Sequence, residues 1–205
     1  MSSGRRAGLR FDATLGVTTE ALLFLGELDP EAIGPSLEYA THYEPTPLAD
    51  AERLLDALPL RPERTVFVDV GSGLGRIVLL AARRPFRQII GLEISPALHE
   101  LARENLAGVT DPERRCRDVR VVRGDAADYR WPRGDLALYL YNPFRAEVLA
   151  AVLDAVLADR TRDIALVYHT PLEAATIAAR PEFEPVADLG IARVYLARRA
   201  PQPPD

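Results

Sequence analysis

The sequence predicts an α/β protein built on a doubly wound, mostly parallel sheet. Three observations carry this. An apolar run, Val66 to Val70, is followed by Gly71, Gly73 and Gly75 and then by a helical stretch from Leu74 to about Arg83. A second apolar run, Gln88 to Leu92, ends at an acid, Glu93. Further short apolar runs, Val119 to Val122, Asp135 to Tyr141 and Ile164 to Tyr168, alternate with helix-length segments. Parallel strands buried on both faces read as continuous Val, Ile and Leu, and their alternation with helical patterns marks βαβ units.

Length and composition bound the rest. With 205 residues, the chain can form one domain with an extension and a sizeable core. Its hydrophobic fraction, 48%, is ordinary for a soluble globular protein. The net charge of −5 argues against an extended nucleic-acid backbone as partner. All 25 basic residues are arginine, which fits a GC-rich genome and carries no functional message. A single cysteine, Cys116, makes an internal disulfide impossible and fits a reducing compartment. The apolar run Ala21 to Gly26 is too short to cross a membrane and is flanked by Glu20 and Glu27. A cytoplasmic location without membrane contact is expected.

At the N-terminus, residues 1 to about 12 are expected to be a mobile arm. Val17 to Leu28 is expected to be a helix, capped by Thr18 or Thr19, with Ala21, Leu22, Leu25 and Leu28 on one face, and stopped by Asp29-Pro30. Another short helix is placed within Glu31 to Tyr39. The prolines of Thr41-His42-Tyr43-Glu44-Pro45-Thr46-Pro47 fix an extended loop. Polar and aromatic side chains on a stiff loop are suited to grip a ligand, although a rigid connector would look the same. Leu48 to Leu58 is amphipathic, with Leu48, Leu54, Leu55 and Leu58 as its buried set.

The glycine turn reads Asp69-Val70-Gly71-Ser72-Gly73-Leu74-Gly75. Glycine leaves no Cβ in the way of a ligand, and an acid about 20 residues further on can accept ribose hydroxyls. In the dinucleotide fingerprint the third glycine stands one residue later, as Gly-x-Gly-x-x-Gly. With an acid two residues before the first glycine, the arrangement resembles motif I of class I S-adenosylmethionine-dependent methyltransferases. Glu93 matches that family's ribose-binding acid. Tyr43-Glu44-Pro45-Thr46 resembles the Tyr-x-x-Thr loop of some class I protein-lysine methyltransferases, which folds over the methionine end of the cofactor.

Beyond Glu93, Ser95 is predicted to cap a helix with Pro96 in its first turn and Leu98, Leu101, Ala102 and Leu106 as its buried stripe. His99 on that helix reads as a solvated or packed residue. Gly124-Asp125-Ala126 ends the third strand and again matches the methyltransferase pattern. Asp125 can accept from an adenine amino group or simply form the turn. Tyr129 and Trp131 can stack on a base or pack. Asn142-Pro143-Phe144 follows the fourth strand, at the switch point where open sheets bind ligands. This resembles the Asn-Pro-Pro-Tyr/Phe that class I enzymes methylating nitrogen often carry here; this chain has one proline fewer, so the ring's position is open. His169 ends the fifth strand and reads as a substrate-side base or as a buried, hydrogen-bonded histidine. Val148, Leu149, Val152, Leu153, Val156 and Leu157 form a core stripe. A helix from Leu172 to about Ala179, an antiparallel pair at Phe183 to Val186 and Ile191 to Ala197, and a disordered tail from Pro201 complete the reading. His42, His99 and His169 show no metal-ligand spacing, so no metal is expected.

The resemblance covers about residues 40 to 198. It implies a seven-stranded sheet of order 3-2-1-4-5-7-6 with strand 7 antiparallel, preceded by an N-terminal helical extension. The expected divisions are 1–48 for the arm, helices and ligand-covering loop, 49–198 for the methyltransferase domain, and 199–205 for the tail. It also implies S-adenosyl-L-methionine as cofactor, held by Tyr43, Thr46, Asp69, Gly71, Ser72, Gly73, Gly75, Glu93, Ile94, Asp125, Ala126 and Asn142. Asn142, Tyr43, His169 and Glu44 are the groups expected to hold or deprotonate a methyl acceptor, most simply an amine. An O- or small-molecule methyltransferase, a non-catalytic cofactor-binding module and a nicotinamide oxidoreductase with an aberrant fingerprint stay open as alternatives. Acceptor identity and oligomeric state are left open.

Overall fold

The computed structural model describes residues 2–24 and 42–201. Helix α1 (Ser3–Leu15) comes first, then a short antiparallel pair, β1 (Leu23–Phe24) and β2 (His42–Tyr43), and helix α2 (Leu48–Asp56). The main sheet then begins with β3 (Thr65–Val70), α3 (Arg76–Ala81), β4 (Gln88–Glu93), α4 (Pro96–Gly108) and β5 (Val119–Arg123). It continues with β6 (Asp135–Tyr141), α5 (Ala146–Leu157), β7 (Ile164–His169), α6 (Ala174–Ala178), β8 (Glu184–Asp188) and β9 (Ala192–Ala197).

The seven-stranded sheet has the order β5-β4-β3-β6-β7-β9-β8. Counted from the glycine strand β3, this is the expected 3-2-1-4-5-7-6, with β9 antiparallel to both neighbours. Strand β3 lies inside the sheet between β4 and β6 and is buried at every position, as its Thr-Val-Phe-Val-Asp-Val run requires. One sheet face carries α1, α2 and α3 around Phe11, Leu54, Phe67 and Ile77. The other carries α5 and α6 around Leu149, Val152, Leu153, Val156 and Ile177. Helix α4 is capped as expected, with Ser95 Oγ accepting the Leu98 N–H at 3.4 Å and Pro96 in the first turn. Its stripe needs one correction: Leu98 and Ala102 are buried, but Leu101 is 41% exposed, turned off the buried face.

The N-terminal segment departs most from expectation. Residues 3–15 are helix α1, not an arm. Its buried residues, Gly8, Phe11, Asp12 and Leu15, follow helical spacing. A glycine and an aspartate occupy two of those four places, so an apolar count misses the stripe. Val17 to Leu22 is not helical. The reason is Asp12, whose carboxylate accepts the backbone N–H groups of Thr19 and Glu20, each at 2.6 Å, so these donors do not enter a helical ladder. Residues 25–28 of that expected helix, the helix placed within 31–39 and tail residues 202–205 lie outside the described residues. Among the described residues, no helix is long and apolar enough to cross a membrane.

Candidate active site

The carboxyl ends of β3, β4, β5 and β6 frame a cleft of about 670 Å³. It opens where the chain order reverses: β4 and β5 lie on one side of β3, and β6 on the other. Open α/β sheets bind ligands at this switch point, and the size suits a small-molecule site.

The glycine turn forms one wall. Gly71 and Gly73 have φ of +78° and +54°, conformations that favour glycine. Four of the turn's N–H groups, those of Gly71, Ser72, Gly73 and Gly75, are spent inside the protein. Gly71 and Ser72 donate to Leu92 O at 2.8 and 3.1 Å, and Gly75 donates to Ser72 O at 2.8 Å. Gly73 N–H goes to Glu93 Oε2 at 2.8 Å, and Ser95 N–H to Glu93 Oε1 at 2.8 Å. A pyrophosphate cradle needs free N–H groups at this turn; here the turn instead fixes a carboxylate in the cleft wall.

The electrostatics agree. Asp69 and Glu93 are buried carboxyls lining the cleft. Burial holds the Asp69 carboxyl well above the usual range, and the Glu93 charge adds to the rise. Burial also raises Glu93, against the N–H groups of Ser95, Gly73 and Ile94 that stabilise its ionised form. Two acids on the floor disfavour an anionic ligand and suit one carrying hydroxyls and positive charge.

Above the turn lies the Tyr43–Thr46 loop. The Tyr43 ring packs on Gly73, where an added Cβ would stand 2.3 Å from two ring carbons. Its hydroxyl donates to Thr19 O at 2.9 Å, and burial raises its pKa. Thr46 Oγ1 shares a 2.8 Å hydrogen bond with the Tyr139 hydroxyl. Arg76, the first residue of α3, is 3% exposed and joins these pieces. It donates from Nε to Thr19 Oγ1 at 2.8 Å and from Nη1 to Thr46 O at 3.3 Å, and it pairs with Glu20 at 2.8 Å and Asp12 at 3.9 Å.

The opposite wall comes from the tips of β6 and β7. Asn142 lines the cleft with φ +42°, and its Oδ1 accepts from the Tyr168 hydroxyl at 2.8 Å. Beside it stands Thr170, φ +49°. The Tyr141 hydroxyl interacts with Glu44 and Thr170. Phe144 also lines the cleft, so the shortened Asn-Pro-Phe still brings its ring to the wall.

Most expected site residues thus converge on one cleft: Tyr43, Glu44 and Thr46 from the loop, Asp69, Gly71, Ser72 and Gly73 from the turn, and Glu93, Ile94, Asp125, Ala126 and Asn142 from the strand tips. Asp125 also forms a turn, its Oδ1 accepting the Ala127 N–H at 2.9 Å. Gly75 and His169 are not among the lining residues. Gly75 is the N-cap of α3. His169 is 5% exposed and packs edge-on against Tyr141, ring centroids 4.1 Å apart. Burial lowers its pKa, which favours a neutral ring. Tyr129 and Trp131 pack on each other at 5.2 Å, away from the cleft. Sequence reading passed over Arg76, Tyr139, Tyr141 and Tyr168. The available signals were a charge opening an otherwise apolar helix, Arg76-Ile-Val-Leu-Leu-Ala, and tyrosines alternating along Asp135 to Tyr141 into Asn142. Among the described residues, no group of three or more His, Cys, Asp or Glu side chains is placed to hold a metal ion.

Residues 67–163 match the model of the family described as Methyltransferase domain. Similar solved structures include an RNA methyltransferase from Salinibacter ruber in complex with S-adenosyl-L-homocysteine (21% identity, TM-score 0.54, covering 79% of this chain and 97% of that one). Ribosomal protein L11 methylase from Lactobacillus delbrueckii subsp. bulgaricus is another (16%, TM-score 0.51, covering 73% and 76%). A third is magnesium protoporphyrin IX methyltransferase from Synechocystis PCC 6803 with bound SAM (15%, TM-score 0.52, covering 74% and 77%). No curated protein matches the chain. The fold and the match over residues 67–163 together support a class I S-adenosylmethionine-dependent methyltransferase, with S-adenosylmethionine as the cofactor that class uses. The named acceptors of these three structures differ, so the shared fold leaves the acceptor open.

Proposed function

We propose that the chain methylates an amine nitrogen, of a protein lysine or another amine. The observation that carries this is the wall opposite the glycine turn: Asn142 at the switch point, with Glu44 and Tyr141 beside it. An amide carbonyl and an exposed carboxylate are acceptor groups that suit the N–H donors of an amine. The net charge of −5 favours such a cationic acceptor over a polyanion, so the RNA methyltransferase likeness is read as shared fold.

The cleft fits the cofactor on this chain's own features: a glycine wall without Cβ atoms, two buried carboxyls and adequate volume. Glu93 would hold the ribose hydroxyls and Asp125 the adenine amino group. Asp69, Gly71, Ser72, Gly73, Tyr43 and Thr46 would surround the amino-acid end, with Ile94 and Ala126 against the base. Bound there, S-adenosylmethionine supplies an electrophilic methyl group on a sulfonium, open to in-line attack. The chain's task is then to orient and desolvate the nucleophile, and orientation can supply on the order of 7–11 kcal/mol. Asn142 Oδ1 would hold an acceptor N–H and direct the nitrogen lone pair. A protonated amine has no lone pair, so Glu44 at the mouth would receive the proton. His169 does not line the cleft and would bear on the acceptor only through the Tyr141 ring it packs against.

The test is radiolabelled methyl transfer from S-adenosylmethionine into fractionated lysate of the source organism. The expected product carries label on an amine, stable to base. Label recovered solely as esters or ethers would overturn the amine reading.

A further inference from the structure

We propose that Tyr168 is a positioning residue that fixes the Asn142 amide toward the methyl acceptor. The inference rests on the reading that Asn142 holds the acceptor. Register pairs Tyr141 with His169, so the next residues, Asn142 and Thr170, leave the sheet side by side. Both adopt positive φ, +42° and +49°, without being glycine. For a β-branched threonine this is a genuine outlier, and such strain persists only where surrounding contacts over-determine it.

Thr170 is held by its backbone, its N–H donating to Ile191 O at 2.8 Å, and at Asn142 the holding contact is Tyr168. The residue is 1% exposed, on the sheet face that carries α5 and α6. Its hydroxyl accepts the Glu173 N–H at 3.2 Å and donates to Asn142 Oδ1 at 2.8 Å. A hydroxyl has one proton, and here it is committed to Asn142. One oxygen therefore ties the tip of β6 to the turn between β7 and α6.

The consequence is orientational. The terminal torsion of asparagine is soft, so an unheld amide samples a broad range. With one Oδ1 lone pair engaged by Tyr168, the second lone pair and the Nδ2 hydrogens keep fixed directions. Small misplacements of an orienting group can cost on the order of a hundredfold in rate.

The chain has two asparagines, Asn105 and Asn142, which makes a direct readout available. With asparagine labelled in ¹⁵N, two side-chain amide pairs appear in a proton–nitrogen spectrum. Asn105, which donates to Thr18 O and Leu74 O at 2.9 and 3.0 Å, is the internal control. In Tyr168→Phe the Asn142 pair is expected to shift and broaden while the Asn105 pair stays. S-adenosylhomocysteine affinity should hold within about twofold, and turnover on the lysate fraction labelled by wild type should fall on the order of tenfold or more. An unmoved Asn142 pair overturns the proposal. If Tyr168→Phe does not fold, the wild-type protein answers: a nuclear Overhauser contact between the Asn142 amide and the Tyr168 ring is expected, and its absence overturns the proposal. Undiminished transfer by Asn142→Ala would overturn the role of Asn142 itself, a failure distinct from an unmoved amide.

Discussion

The Tyr43 ring lies against the α-carbon of Gly73, so close that a methyl group there would stand 2.3 Å from two ring carbons. The loop ahead of the domain and the glycine turn are thus one surface. Gly73→Ala should displace Tyr43 and strain a backbone held at φ +54°. The left-handed conformation alone costs roughly 1–2 kcal/mol, about 2–8 °C in Tm for a chain of this size. A calorimetric titration should show S-adenosylhomocysteine affinity falling as well. Unchanged affinity would show that Tyr43 does not shape the cofactor site.

Arg76 invites a second test. It is 3% exposed and compensates Asp12 and Glu20. Arg76→Met should leave two largely buried carboxylates unpaired and destabilise the fold by about 3–5 kcal/mol. Denaturant unfolding measures this directly. Arg76→Lys should recover little, because one ammonium cannot span Thr19, Thr46 and Glu20 together. A loss below 1 kcal/mol for Arg76→Met would contradict the buried ion cluster.

The fold's core was legible in the sequence, because β3, β4, β6 and β7 are continuous apolar runs and the glycines punctuate them. The acidic wall of the cleft was legible too, because Asp69, Glu93 and Asp125 each follow an apolar run at or beside a strand tip. The N-terminal segment was not. Helix α1 hides its buried stripe behind Gly8 and Asp12, and Thr19 and Glu20 are held out of a helix by Asp12, seven and eight residues earlier. Arg76 was passed over because a single arginine after a glycine turn has no period. Tyr168 shows in the sequence only as the end of an apolar run, since its hydroxyl's partner, Asn142, stands 26 residues away.

The two raised carboxyls set a pH dependence with a definite sign. Between its ordinary value, 3.8 for Asp69 and 4.5 for Glu93, and its raised folded value, each carboxyl holds more proton in the folded chain than in the unfolded one. The contribution of Asp69 and Glu93 to stability is therefore full at low pH and is lost as pH rises through that window. Ionised Glu93 is the form that accepts ribose hydroxyls. S-adenosylhomocysteine affinity should accordingly rise over the same window, with proton release visible as a buffer-dependent binding enthalpy. His169 acts oppositely on stability, since its depressed pKa removes stability as pH falls below 6.5. The affinity readout separates the two, because His169 does not line the cleft. A flat affinity profile would contradict the assignment of Glu93.

Asn142→Ala should lower turnover on the labelled lysate fraction by on the order of tenfold or more, with S-adenosylhomocysteine affinity nearly unchanged. Equal loss of both would make Asn142 a structural residue at the tip of β6.

The central claim, a nucleoside and amino-acid site anchored on Glu93, is tested most directly by calorimetric titration of wild type and Glu93→Ala with S-adenosylhomocysteine and, separately, NAD. The expected result is a single site for S-adenosylhomocysteine in wild type, weakened in Glu93→Ala by about 1.5–3 kcal/mol, the loss of charge-assisted hydrogen bonds. No binding of NAD is expected. Binding of NAD alone, or S-adenosylhomocysteine affinity indifferent to Glu93, would contradict the account.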